Sequence, residues 1–179
     1  MAIGESSRRP VDDARRKAVS QLVEFYRGTA TDSEGRSLRD FWAFSDGQME
    51  SRHDFIQWMF PLEAPSRFNP DAPILTRADR EAFEDDPALR DNLLKSFDRF
   101  LGFLGMTREE DRVVPASDFE SKRWRLNEPN HNWLRITRVL ASLRLLGLAD
   151  QSKQFHQGLE GLITDGKARI SADTLAYWK

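Results

Sequence analysis

The chain has 179 residues, of which 39% are hydrophobic, with twelve Phe and five Trp; that is apolar area enough for one well-buried domain. Charged residues reach 31% but balance to a net charge of −2, which gives no electrostatic basis for binding nucleic acid or an acidic membrane surface. Cysteine is absent, so disulfides, thiolate catalysis and thiolate-held zinc or iron–sulfur clusters are excluded.

Residues 1–10 read as a flexible start, and domain-like patterning occupies 11–179. The start is polar, basic at Arg8 and Arg9, and lacks the apolar run of a secretory signal. From about Val11 to Arg27, apolar residues at Ala18, Leu22, Phe25 and Tyr26 mark one helical face, which Gly28 stops. A short helix is predicted over Leu38–Phe44 and a longer one over 48–60, closed by Pro61. The uncharged stretch Phe55–Leu62 is too short to cross a bilayer, so no membrane insertion is expected and a cytoplasmic location is the simplest reading.

Pro61, Pro65, Pro70 and Pro73 then make a pinned, extended connection. Thr76 opens the next helix with Asp79 in a capping position, and Pro87 and Gly105 bracket a long helix to Leu104. Residues 106–127 are charged and poorly periodic, and read as a surface connection with a turn of helix. The most apolar helix spans 129–146, between Pro129 and Gly147, and two weaker ones follow near Gln151–Ile163 and from Ser171. No alternating segment is long enough for a central strand. The expected fold is all-α, a single compact bundle of about seven helices with a proline-rich connection.

On the 129–146 helix, His131, Arg135, Arg138 and Ser142 fall within a stripe of about 60°. Trp133, Ile136, Leu140 and Leu143 lie opposite, with Leu134, Leu145, Val139 and Leu146 on the flanks. A helix apolar on three sides is buried, so its polar stripe should face a cleft or internal partners. Guanidinium forks suit a carboxylate or phosphate, and they equally suit internal pairing with Asp54 or Glu24. On 48–60, Glu50, His53, Asp54 and Gln57 share a polar stripe with Trp58 at its edge. If the two helices pack together, His53, Gln57, His131 and Arg135 converge, either as a site or as a core hydrogen-bond network.

Glu50/His53 and Glu128/His131 are also two Glu-x-x-His pairs, the spacing of di-iron helical bundles, with Glu24 and Glu81 or Glu84 as the remaining carboxylates. Pro129 argues against this, because it sets Glu128 at the helix start, outside a regular turn. No metal is therefore assigned. Walker, nucleophile-elbow and dinucleotide-binding patterns are absent, and no cofactor is expected. His156 reads as a surface residue. Phe97, Phe100, Phe103 and Leu104 read as core, and Lys122, Arg123 and Arg125 as a solvated face.

Two segments, His53-Asp54-Phe55-Ile56-Gln57-Trp58-Met59-Phe60-Pro61-Leu62 and His131-Asn132-Trp133-Leu134-Arg135-Ile136-Thr137-Arg138-Val139-Leu140, resemble the signature blocks of the opioid growth factor receptor conserved domain. Phe25-Tyr26-Arg27, Leu75-Thr76, Ser142-Leu143 and Leu146-Gly147 fall in matching order, so the resemblance spans roughly Val19 to Tyr177. It implies a receptor-like module, expected here as the domain alone; the family is named for binding an opioid peptide in animals.

The expectation is a binding or regulatory module that takes a peptide or an anionic small ligand in a groove between helices 48–60 and 129–146. Its site residues are His53, Gln57, Trp58, His131, Arg135 and Arg138, with prolines 61–73 and Trp133 as apolar walls. The alternative is an enzyme acting on an anionic or phosphorylated substrate, with His131 or His53 as acid/base and Arg135 as clamp.

Overall fold

The computed structural model describes residues 20–127 and 129–178. The expected flexible start at 1–10 and the first part of the helix from Val11 lie outside them. What is described of that helix is α1 (Gln21–Arg27), capped by the Ser20 hydroxyl and ended by Gly28 in the left-handed region at φ 79°. Side chain and backbone cap each other reciprocally at the next two starts: Ser37 with Asp40 opens α2 (Leu38–Ala43), and Ser45 with Gln48 opens α3 (Asp46–Ser51). α4 (Ile56–Met59) is a single turn. Thr76 and Asp79 form a full capping box for α5 (Arg77–Asp85). α6 (Pro87–Leu104) begins and ends where Pro87 and Gly105 predict.

Beyond α6 the sequence reading needs correction. Residues 106–127 hold an antiparallel hairpin, β1 (Met106–Glu109) with β2 (Arg112–Pro115), then α7 (Phe119–Lys122) and a 3-10 turn over Arg123–Arg125. The hairpin is short, both of its faces mix charged and uncharged residues, and its reversal puts Glu110 at φ 49°, so neither alternation nor glycine signals it. Its place is fixed from the other side: a Cβ on Gly158 would sit 2.5 Å from the Val113 carbonyl oxygen. The chain closes with α8 (His131–Leu145), α9 (Ala149–Thr164) and α10 (Ala172–Tyr177).

The fold is thus mostly helical, but among the described residues it has ten helices, many of only one or two turns, in place of a seven-helix bundle. α6 runs through the middle, packed by α1, α2, α5, β1 and α7, and α8 pairs with α9. Aromatic rings knit the layers: Phe25 meets Trp58 at 5.1 Å between centroids, and Phe97 meets Phe155 at 5.4 Å. Phe97, Phe100, Phe103 and Leu104 are fully buried core, as predicted. No described helix is long and apolar enough to cross a membrane.

Candidate functional site

The predicted 48–60 helix does not exist as one element. α3 ends at Ser51, Arg52 is extended at φ −95°, ψ 142°, and the chain re-enters helix only at Ile56. The break leaves two short helices whose last carbonyls need donors. α8 supplies them. Arg135 donates through Nη1 to the Met49 carbonyl at 2.8 Å and through Nη2 to the Arg52 carbonyl at 2.6 Å, so it caps α3. Arg138 donates to the Phe60 carbonyl at 3.1 Å and caps α4. A cation at a helix C-terminus is favourable both as a donor and against the helix dipole.

The expected internal ion pairs of these arginines are therefore not formed. Asp54 is taken by Arg36 at 2.9 Å, and among the described residues neither Arg135 nor Arg138 pairs with a carboxylate. Their charge is felt in their proton affinity. Burial pulls the Arg135 guanidinium down to about 10, only partly opposed by Glu50, and burial alone lowers Arg138. Arg135 is 5% exposed, and its remaining contacts are Asn132 Oδ1 at 3.2 Å and His53 Nδ1 at 3.3 Å. Its two Nη atoms thus carry four contacts, where the sequence reading foresaw an open guanidinium fork.

The two histidines do converge. Their ring centroids are 5.3 Å apart and nearly perpendicular. His131 Nε2 lies 2.8 Å from Glu50 Oε1, a close approach off the ring's N–H direction. Burial lowers the His131 proton affinity first, and Arg135 and His53 add to it against the opposing pull of Glu50. Glu50 also lies 3.4 Å from Arg125 Nε and accepts from Asn132 Nδ2 at 3.4 Å.

Beside this cluster is a cleft of about 480 Å³ between α8 and the 53–68 segment. His53, Gln57, His131, Arg135 and Arg138 all line it, so five of the six expected site residues share one concavity. Gln57 is 4% exposed, donates to the His53 carbonyl at 3.2 Å, and has no partner for Oε1 among the described residues. Trp58 is the exception. It is buried against Phe25, because the break turns α4 so that this ring faces the core.

The walls differ as well. Trp133 donates to the Leu126 carbonyl and packs on Trp178, away from the cleft, and no proline lines it. Ile56, Leu62, Ser66, Phe68, Leu134 and Thr137 do. Phe68 is 77% exposed and Leu134 62%, so the apolar rim is open to solvent. Ser66 shapes the wall by accepting from the amides of Phe68 and Asn69, each at 3.2 Å. A large aromatic between prolines was the available signal for Phe68; for Ser66 there was none.

Other readings also change. The Glu50/His53 pair does not share a regular helical turn, and Glu128 lies outside the described residues. Among the described residues no group of three or more His, Asp or Glu is placed to hold a metal ion. His156 is buried, with Nε2 3.0 Å from the Leu175 carbonyl, because α10 folds over it. Arg125 is not solvated: it donates to the Phe103 carbonyl at 2.7 Å and lies over the Phe103 ring. Ser142 is wholly buried beyond the cleft.

Residues 17–179 match the opioid growth factor receptor (OGFr) conserved region. The chain belongs to that family. The opioid growth factor receptors of Mus musculus and Homo sapiens are each 38% identical to it, over 110 and 111 residues, 60% of this chain and 17% and 16% of theirs. Opioid growth factor receptor-like protein 1 of Mus musculus is 33% identical over 108 residues, 59% of this chain and 23% of its own. The chain thus matches less than a quarter of the length of these relatives. No solved structure matches it.

Proposed function

We propose that the chain is a binding module of the opioid growth factor receptor family, whose cleft between the 53–68 segment and α8 takes an anionic group carried on an apolar body. One observation supports this above all: Arg138, half-buried and lining the cleft, has a single protein acceptor and no carboxylate partner among the described residues. Burying an unpaired charge is costly, and an anion in the cleft would relieve that cost. A volume of about 480 Å³ suits one small ligand or a few side chains of a peptide, and the relatives' name favours a peptide. The test is titration with anilinonaphthalene sulfonate, an apolar anion. Saturable binding that falls at least tenfold in Arg138→Gln is the expected result; binding unaffected by that change rejects the reading.

A second reading is favoured by His131, whose Nδ1 is open while Glu50 stands behind Nε2. That is a general-base arrangement, with Arg138 as the electrostatic partner in place of Arg135. Turnover of an aryl phosphate that is lost in His131→Phe would support it.

A further inference from the structure

We propose that the head-group site of the cleft is the outward face of the His53–His131 pair, and that it selects a small phosphomonoester that carries one proton and an apolar substituent. This rests on the anion-binding reading above and names the chemistry of the anion.

The argument starts from which ring nitrogens hold hydrogen. A guanidinium only donates, so the Arg135 contact makes His53 Nδ1 an acceptor and leaves the proton of neutral His53 on Nε2. Glu50 Oε1 lies 2.8 Å from His131 Nε2, off the N–H direction, and a bare ring lone pair that close to a carboxylate would be repelled, so the proton of neutral His131 is favoured on Nε2 and Nδ1 is left as a lone pair. Among the described residues, neither His53 Nε2 nor His131 Nδ1 has a hydrogen-bond partner. The two rings, 5.3 Å apart, therefore present one donor and one acceptor side by side, over the buried charge of Arg135.

A carboxylate or a sulfate offers acceptors only, and at neutral pH either would leave the His131 lone pair facing oxygen lone pairs. A phosphomonoester loses its second proton near pH 6, so around that pH about half of it still brings a P–O–H for His131 while its other oxygens face the His53 Nε2–H. Burial and the neighbouring Arg135 make His131 reluctant to supply that proton itself. Among the described residues, the charged and titratable groups around the pair are Glu50 from α3, His53 from the α3–α4 break, Arg125 from the 3-10 turn, and Arg135 and Arg138 from α8. Ile56, Leu62, Phe68 and Leu134 give the apolar substituent its surface, and Arg138, on the same stripe of α8, supplies the unpaired positive charge that draws the anion into the cleft.

The experiment is calorimetric titration of the full chain with hexyl phosphate, hexyl sulfate, hexanoate and inorganic phosphate at several pH values. Hexyl phosphate should bind about tenfold or more tightly than hexyl sulfate, since the sulfate leaves one acceptor unpaired. It should also bind more tightly than inorganic phosphate, which lacks the substituent. The phosphate-to-sulfate ratio should be largest near pH 6 and shrink at higher pH as the ligand loses its proton. In His131→Phe the ratio should collapse while hexyl sulfate binding persists. Should that variant fail to fold, the ratio and its pH profile in the parent protein still decide. Equal binding of hexyl sulfate and hexyl phosphate overturns this inference and leaves the anion-binding cleft standing. Binding of none of the four probes overturns both.

Discussion

Two regions of the molecule treat buried cations in opposite ways. At the start of α3, Asp46 gathers Arg99 at 2.9 Å, Lys122 at 3.0 Å and Arg125 at 3.6 Å. Burial opposes the Asp46 charge, yet hydrogen bonds from Lys122 and Arg99 hold its carboxyl below the usual carboxylate range. On α8, Arg135 is buried and Arg138 half-buried, and both donate to backbone carbonyls, with Asn132 and His53 as neutral partners of Arg135 and no carboxylate on either among the described residues. A carbonyl satisfies a donor without cancelling a charge. The first arrangement closes its electrostatics inside the fold; the second secures two helix ends and leaves positive potential beside a cleft.

Breaking each region should separate those roles. Arg135→Ala is expected to have the largest effect, about 3 kcal/mol, because it strips donors from the carbonyls of Met49 and Arg52. A fall of about 6–12 °C in thermal midpoint would register it. A midpoint within a degree of the parent would mean that those caps are idle. Asp46→Asn should follow at about 2 kcal/mol, since it leaves three cations facing one another at the mouth of α3. Raising the salt concentration should narrow that deficit and leave the Arg135→Ala deficit unchanged, which urea titrations can compare directly.

Arg138→Gln should be milder, below about 1 kcal/mol, because one carbonyl bond is lost while an unpaired buried charge is also removed. The smallest effect concerns pH. The folded chain holds the His131 proton affinity below its ordinary value of 6.5, so the unfolded chain takes up the proton more readily. The contribution of His131 to stability is complete above pH 6.5 and is lost as pH falls through the folded value. His131→Gln should flatten the fall in stability between pH 7 and pH 5 measured by denaturant titration; an unchanged slope would assign the fall to other groups.

Much of the scaffold was legible in the sequence because it rests on side-chain chemistry. Pro87 and Gly105 bound α6, Thr76 and Asp79 cap α5, and the spacing of His131, Arg135 and Arg138 puts them on one wall. The α3–α4 break was not legible. Its polar and apolar residues fit a continuous helix, and the acceptors that reward the break are backbone carbonyls, which every residue possesses. The same blindness produced the expectation of carboxylate partners for Arg135, and it sent Trp58 to the cleft when the break had turned it inward. His156 was missed because its burial is conferred by α10, a short helix from another part of the chain.

α3 and α4 have six and four residues, too few for either to persist as an isolated helix in water. Their ends are tied by side chains that lie 86 residues away at Met49 and 78 residues away at Phe60. These turns therefore gain their order from a distant part of the chain, and they can be held only after the second half of the polypeptide has docked on the first. Amide hydrogens in residues 49–52 and 58–60 should exchange together with those of α8, at a common opening free energy. Through that shared opening, the order of one cleft wall becomes a readout of whether the whole chain has folded.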